Sequence, residues 1–208
     1  MFGRSKKNLR DLPSARPDWA MSGTVRVVEF TCSTARLTLR PWRDSDLDDF
    51  AAMNADPEVS ADLGGPLSRA ESETKLQRFR HSFDHYGLTR WAVLDDVGQF
   101  LGYAGIRRHG EGERALPPHH DIGWRFTRSA WGNGYASEAA AAALDDAFDR
   151  VGLEEVLAYT APDNLRSQAV MNRLGMRRDP SRDFVDQDER MGTWTGLTWS
   201  MTAAMWST

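Results

Sequence analysis

The sequence predicts an α/β fold in which one mixed sheet carries helices on both faces. Three features lead to that expectation. Short apolar runs with a period of two recur along the chain, as in "TARLTLRP", where Leu37 and Leu39 alternate with Arg36, Thr38 and Arg40. Amphipathic stretches with a period near 3.6 separate them, the clearest over residues 135–148. The two patterns interleave in the order strand, two helices, three strands, helix, strand, helix, and one or two strands.

Residues 1–30 hold Pro, Ser and clustered Arg and Lys without periodicity, so they are expected to form a loosely ordered extension before a domain spanning residues 31–208. Met21 within that extension is a candidate start. After the strand at Leu37, "DSDLDDFAAMN" places Leu47, Phe50 and Ala51 on one helical face. Asp and Ser crowd its first turn, where free backbone N–H groups favour acceptors. A second helix begins at Ser68, whose "SRAE" forms a capping box with Glu71, and it turns Leu76, Phe79 and Phe83 inward. "RWAVLDD" and "QFLGYAGIRRH" read as a hairpin, and the loop "GEGERALPP" leads to the strand "HHDIGWRF". In the next helix Ala136, Ala139, Ala140, Ala143, Leu144, Ala147 and Phe148 share one face and are expected to be buried. "EEVLAYT" is a strand, and "NLRSQAVMNRLGM" is a short helix with Asn164 as N-cap and Gly175 as a left-handed stop. "TWTGLTWSMTAAMW" reads as the last strand.

At 208 residues, with 40% hydrophobic and 27% charged residues, the chain suits one well-buried core. No apolar run approaches the ~20 residues needed to span a bilayer, and the first thirty residues lack the apolar region of a secretory signal. The lone Cys32 cannot form an internal disulfide. A cytoplasmic protein without a membrane partner is therefore expected. A net charge of -4 argues against nucleic acid as a partner, because phosphate backbones reward basic surfaces. The eight tryptophans have no interleaved basic patch and are assigned to packing.

The stretch richest in chemistry is "RSAWGNGYASEA", two glycines directly before the alanine-rich helix. A helix start concentrates partial positive charge and unpaired N–H groups, and glycines let a phosphate approach the backbone. A Walker A loop would require Gly-Lys followed by Ser or Thr, which is missing. A dinucleotide site of the Rossmann type would require a third glycine and an acidic residue at the end of the next strand. Here Glu154 and Glu155 stand at that strand's start. A plain tight turn into a packed helix is the structural alternative.

From about Thr34 onward the chain resembles the GNAT superfamily of acetyl-CoA-dependent N-acetyltransferases, in particular the branch containing ribosomal-protein N-terminal acetyltransferases. "TARLTLRPWRDSDLDDFAAM" is similar to that branch's first strand and helix. "HHDIGWRFTRSAWGNGYASEA" is similar to its fourth strand, pyrophosphate loop and central helix, and "APDNLRSQAVMNRLGM" to its next loop and helix. The superfamily's loop pattern falls on Trp131, Gly134 and Ala136, with Trp131 standing where Gln or Arg is usual. The resemblance implies a central, mostly antiparallel sheet splayed between its fourth and fifth strands. It implies acetyl-CoA as co-substrate, held by the loop Trp131, Gly132, Asn133, Gly134, Tyr135 and Ala136. Backbone groups of Gly123, Trp124, Arg125 and Phe126 would line the pantetheine arm and thioester oxygen, and Asn164 would hydrogen-bond the same arm.

Acetyl transfer to an amine needs an uncharged nucleophile, a polarised carbonyl and a proton for the leaving thiolate. By resemblance Asp121 is the expected proton acceptor. His119, on the same strand face by the period of two, is its rival, and His120 points the other way. The tyrosine that serves many relatives as acid is replaced by Met171. Ser167, one helical turn earlier on the same face, takes its place as candidate. Seven acidic residues and no basic one lie between Asp44 and Asp62, where the family's first helices wall the acceptor site. A small cationic amine therefore competes with a protein N-terminal amine as acceptor. His81 and His85 stand at i and i+4 without a third ligand, so no metal is expected. The rival class is a GNAT-like module that binds an acyl-CoA as sensor or scaffold without turnover. Monomer and homodimer are both open.

Overall fold

A computed structural model describes residues 31–188 and 190–207, so the extension expected over residues 1–30 and its Met21 lie outside the described residues. The strands are β1 (Cys32–Ser33), β2 (Leu37–Arg40), β3 (Arg90–Asp95), β4 (Phe100–His109), β5 (His119–Phe126), β6 (Glu155–Thr160), β7 (Arg177–Arg178), β8 (Phe184–Asp188) and β9 (Gly192–Thr202). They form one sheet in the order β1-β2-β3-β4-β5-β6-β9-β7, with β8 also paired to β9. All pairings are antiparallel except β5 with β6. That parallel contact has one register pair, Asp121 opposite Leu157, whereas β4 and β5 stay in register from Gly102 opposite Phe126 to His109 opposite His119. Beyond Asp121 the sheet is open between β5 and β6, the splay the resemblance implied.

The helices are α1 (Leu47–Ala55), α2 (Pro57–Ser60), α3 (Arg69–Tyr86), α4 (Tyr135–Asp145), α5 (Leu165–Arg173) and α6 (Ala203–Trp206). Alternation along β3 sorts them onto two faces. Ala92 and Leu94 pack with Trp42, Phe50, Met53 and Leu76 under α1 and α3, while Trp91 and Val93 pack with Ala139 and Ala142 of α4. A third cluster joins Ala140, Ala143 and Leu144 of α4 to Val170 and Met171 of α5 over Ile122, Val156 and Trp199. The capping box at Ser68 is formed from both sides, Ser68 Oγ accepting from the Glu71 N–H at 3.2 Å and Glu71 Oε2 accepting from the Ser68 N–H at 2.7 Å. At the end of α5, Gly175 has φ +75°, and the Met176 N–H reaches back to the Met171 carbonyl, closing the helix as its glycine implied.

Three local features differ from the sequence reading. The central helix ends as α at Asp145 and continues in a π turn, Asp146–Arg150. The end of the expected last strand is instead the helical turn α6, because the Thr202 hydroxyl accepts from the Met205 N–H at 3.3 Å and caps two alanines. β8 was not anticipated: "FVDQD" turns Phe184 into the core but leaves Val185 exposed, which erases the apolar alternation.

Candidate active site

The loop before α4 has the local features an anion-binding turn requires. Gly132 and Gly134 adopt φ +78° and +79°, the left-handed region where a side chain is strained. Gly134 is the N-cap of α4, and no side chain caps the helix, so its first-turn N–H groups have no partner of their own. The Ser137 hydroxyl in that turn is buried and unpaired as well. Trp131 is fixed by its indole N–H, which donates to the Phe126 carbonyl at 3.0 Å. The Arg166 guanidinium of α5 lies 4.2 Å from the Trp131 ring centroid, joining loop to helix. Arg36, which the sequence reading did not single out, donates to the Asn133 carbonyl at 3.1 Å and pairs with Glu138, placing a cation beside the loop. Unpaired N–H groups, a bare hydroxyl and two left-handed glycines fit a pyrophosphate.

The splay continues that loop inward. On the β6 side, the edge of β5 from Gly123 to Phe126 has no strand partner among the described residues, so alternate amides along it, those of Trp124 and Phe126, face the gap. The gap opens into a cleft lined by Arg90, Tyr103, His109, Asp121, Tyr159, Arg114 and Trp194, and on the α5 side by Ser167 and Met171. Sequence-predicted residues from two separate segments, Asp121 on β5 and Ser167 on α5, therefore meet there.

Asp121 is placed differently from a free base. It is buried, its Oδ2 accepts from Arg90 Nη2 at 2.6 Å, and its Oδ1 stands 3.0 Å from His109 Nε2. Burial by itself would raise its pKa. The Arg90 charge and the His109 hydrogen bond outweigh it and hold the carboxyl well below the usual carboxylate range. So low a basicity suits a fixed anion rather than a group that collects a proton. Glycine makes the arrangement possible: a Cβ on Gly123 would stand 2.9 Å from the Arg90 guanidinium carbon. The guanidinium lies over Gly123 and also donates to the Asp121 carbonyl at 3.2 Å and to the Gly105 carbonyl.

His109, the last residue of β4, was missed from sequence. Its side chain is 2% exposed; Nε2 sits between Asp121 Oδ1 and Tyr159 Oη (3.1 Å), and Nδ1 has no hydrogen-bond partner among the described residues. His119, the rival base, stacks on it with ring centroids 4.8 Å apart and 11° between planes. Burial lowers the His119 pKa, so that ring is neutral near pH 7, and its Nδ1 lies 2.8 Å from the Pro117 carbonyl. Burial, and then the Asp121 charge, raise the Tyr159 pKa, keeping the phenol protonated.

On α5, Asn164 Oδ1 caps the helix by accepting from the Ser167 N–H at 3.0 Å, and its amide donates to Asp62 at 2.8 Å. The cap is therefore the asparagine, and the Ser167 hydroxyl is left to the cleft. Asp62 also accepts from Arg125 at 3.2 Å. The rest of the acidic run is largely neutralised: Asp44 pairs with Arg80, Asp46 with Arg40, Asp48 with Arg69, and Asp56 and Glu58 with Arg128. It does not form a free anionic wall.

Comparison with known proteins agrees with this geometry. The sequence model described as "Acetyltransferase (GNAT) domain" matches residues 36–177. The uncharacterized protein YkkB of Bacillus subtilis is 32% identical over 146 residues, covering 69% of this chain and 83% of its own. Spermidine N-acetyltransferase from Vibrio cholerae, solved with CoA and spermine, superposes with a TM-score of 0.67 at 17% identity, covering 84% of this chain and all of the other. A putative ribosomal-protein-serine acetyltransferase from the same organism gives a TM-score of 0.66 at 17% identity, covering 83% of this chain and 97% of the other. Among the described residues no helix is long and apolar enough to cross a membrane.

Proposed function

The chain belongs to the GNAT acetyltransferases, and from that premise we propose that it moves an acetyl group from acetyl-CoA directly to a protein N-terminal amine. One observation carries the reading. The uncapped start of α4, behind two left-handed glycines, leads through the single-pair splay into a cleft with ionisable walls. Acetyl-CoA supplies the activated thioester. The amides of Gly132 to Ala136 bind its phosphates, the free edge of Gly123 to Phe126 orients the thioester arm and polarises its carbonyl, and Asn164 flanks the arm. Ser167, whose hydroxyl faces the cleft without a capping duty, gives the proton to the leaving thiolate.

Two points support the acceptor. Most acidic residues around α1, α2 and the turn after them are held by arginines, and the cleft itself carries Arg90, Arg107, Arg114 and Arg125 against Asp62 and Asp121. A polyamine gains little from such a cleft, whereas a single terminal amine needs only one neutralised position. The putative ribosomal-protein-serine acetyltransferase among its structural neighbours is named for a protein acceptor. The neighbour bound to spermine favours a small cationic amine as second reading. A thiol-release assay with acetyl-CoA, run across Ala- and Ser-initiated peptides and spermine, tests both. The expected result is a higher kcat/KM for the peptides. Faster turnover of spermine would replace the first reading by the second.

A further inference from the structure

The proposed acceptor arrives as an ammonium ion, so something must take its proton before it can attack. Asp121 is too weakly basic, and the unused group beside it is His109. The Asp121 carboxylate is an acceptor only, so the 3.0 Å contact with His109 Nε2 requires Nε2 to carry the hydrogen. In the neutral ring that leaves the Nδ1 lone pair bare, and Nδ1 is the buried atom without a partner. Tyr159 Oη, 3.1 Å from Nε2, shares the same N–H and locks the ring plane. A buried acceptor with no donor costs free energy unless something fills it.

We propose that His109 is the catalytic base of this site and that Asp121 is the positioning residue that fixes its tautomer. The proposal rests on the acetyltransferase reading above. His109 Nδ1 takes one proton from the acceptor ammonium, directly or through one water. The neutral nitrogen attacks the thioester carbonyl carbon, a C–N bond forms, and the C–S bond breaks. The second amine proton passes by way of Ser167 to the thiolate, giving amide and free thiol. The imidazolium formed lies between two carboxylates, Asp121 on β5 and Glu113 of the β4–β5 loop, whose Oε2 is 3.7 Å from Nδ1. It returns its proton to solvent past the half-exposed Glu113.

The ring of His109 is faced by groups from several elements. From β5 come the Asp121 anion and the neutral His119 ring, from β6 the Tyr159 phenol, and from the loop Glu113, itself paired with Arg107 of β4. Arg90 of β3 acts through Asp121, and Arg114 pairs with Asp186 at the cleft's outer side. Replacing Asp121 by Asn would leave its amide oxygen to Arg90 and turn an N–H donor to His109 Nε2, so the ring hydrogen should move to Nδ1.

The test combines three measurements on the full chain, with acetyl-CoA and an Ala-initiated peptide as probes. Imidazole nitrogen NMR should show His109 protonated at Nε2 and bare at Nδ1. His109→Gln should lower kcat by roughly 10²- to 10⁴-fold while acetyl-CoA still raises the melting temperature, and the acid limb of kcat/KM should vanish. Asp121→Asn should show the ring hydrogen on Nδ1 and a lowered kcat. A proton on Nδ1 in the wild type, a His109→Gln rate within threefold of wild type, or an Asp121→Asn variant with unchanged tautomer and kcat would overturn the proposal. If the wild type binds acetyl-CoA and acetylates neither the peptide nor spermine, the acetyltransferase reading fails instead, and the tautomer still decides the dyad. If His109→Gln does not fold, the tautomers of the wild type and of Asp121→Asn decide it.

Discussion

Replacing Arg90 by Met isolates the charge on which the cleft is built. Arg90 and Asp121 are 10% and 7% exposed, so solvent screens their 2.6 Å contact very little. Removing one member of a buried ion pair costs about 3–5 kcal/mol, because the other charge stays behind in a poor solvent. Here the His109 N–H still donates to Oδ1, which places the expected loss near the lower end, about 3 kcal/mol at pH 7. For a chain of this size that corresponds to a fall in Tm of roughly 6–12 °C. The sign with pH follows from the carboxyl. In the wild type its folded pKa is depressed, so the stability it contributes is complete above the unfolded value near 3.9 and is lost as pH falls below it. Without the guanidinium, burial pushes that pKa above the unfolded value, and the variant loses stability as pH rises through it. Urea melts at pH 5 and pH 8 should therefore show a larger difference from wild type at pH 8. Arg90→Met with Asp121→Asn should recover at least half of the loss. A variant within about 0.5 kcal/mol of wild type at both pH values, or a loss independent of pH, would refute the assignment of Asp121 as a buried anion held by Arg90.

Other consequences are simpler to measure. Gly134→Ala forces a side chain into φ +79° and should cost about 1 kcal/mol in chemical denaturation, while the CoA dissociation constant by calorimetry rises at least about tenfold. Ser68→Ala removes half of the α3 capping box and should destabilise by about 1 kcal/mol without changing the kcat of acetyl transfer, since α3's first turn is outside the cleft. Asp56→Lys and Glu58→Lys break pairs with Arg128 rather than an acceptor subsite. The KM for spermine should stay within about threefold, and a rise beyond about tenfold would restore the acidic wall as part of the site.

Local rules carried much of the architecture. The capping box at Ser68, the Asn164 cap and the Gly175 stop depend on neighbours a few residues away, and each appears where its residues stand in the sequence. The glycines of the loop were equally legible, because a positive φ beside an uncapped helix is a local demand. What escaped was set by distant pairings. β8 is an edge strand whose polar residues obey β9 rather than a period of their own. The site's chemistry is less local still. Arg90 and Asp121 are on strands joined through β4 and 31 residues apart in the chain, so the reading that made Asp121 the proton acceptor had no local sign of this partner. A signal for Arg90 and His109 existed in the register. In a β3–β4–β5 meander, Arg90 faces Gly105, which faces Gly123, and His109 lies on the same sheet face as Asp121. Two facing glycines beneath a buried arginine would have marked a guanidinium crossing the sheet.

The central claim is that the cleft transfers an acetyl group rather than merely binding its donor. Mass spectrometry of an Ala-initiated peptide that also contains an internal lysine, incubated with acetyl-CoA and the protein, tests it directly. One acetyl group on the terminal amine, with an equal amount of free CoA thiol, is the predicted result. Saturable acetyl-CoA binding with unmodified peptide and no thiol release from peptide or spermine would contradict it.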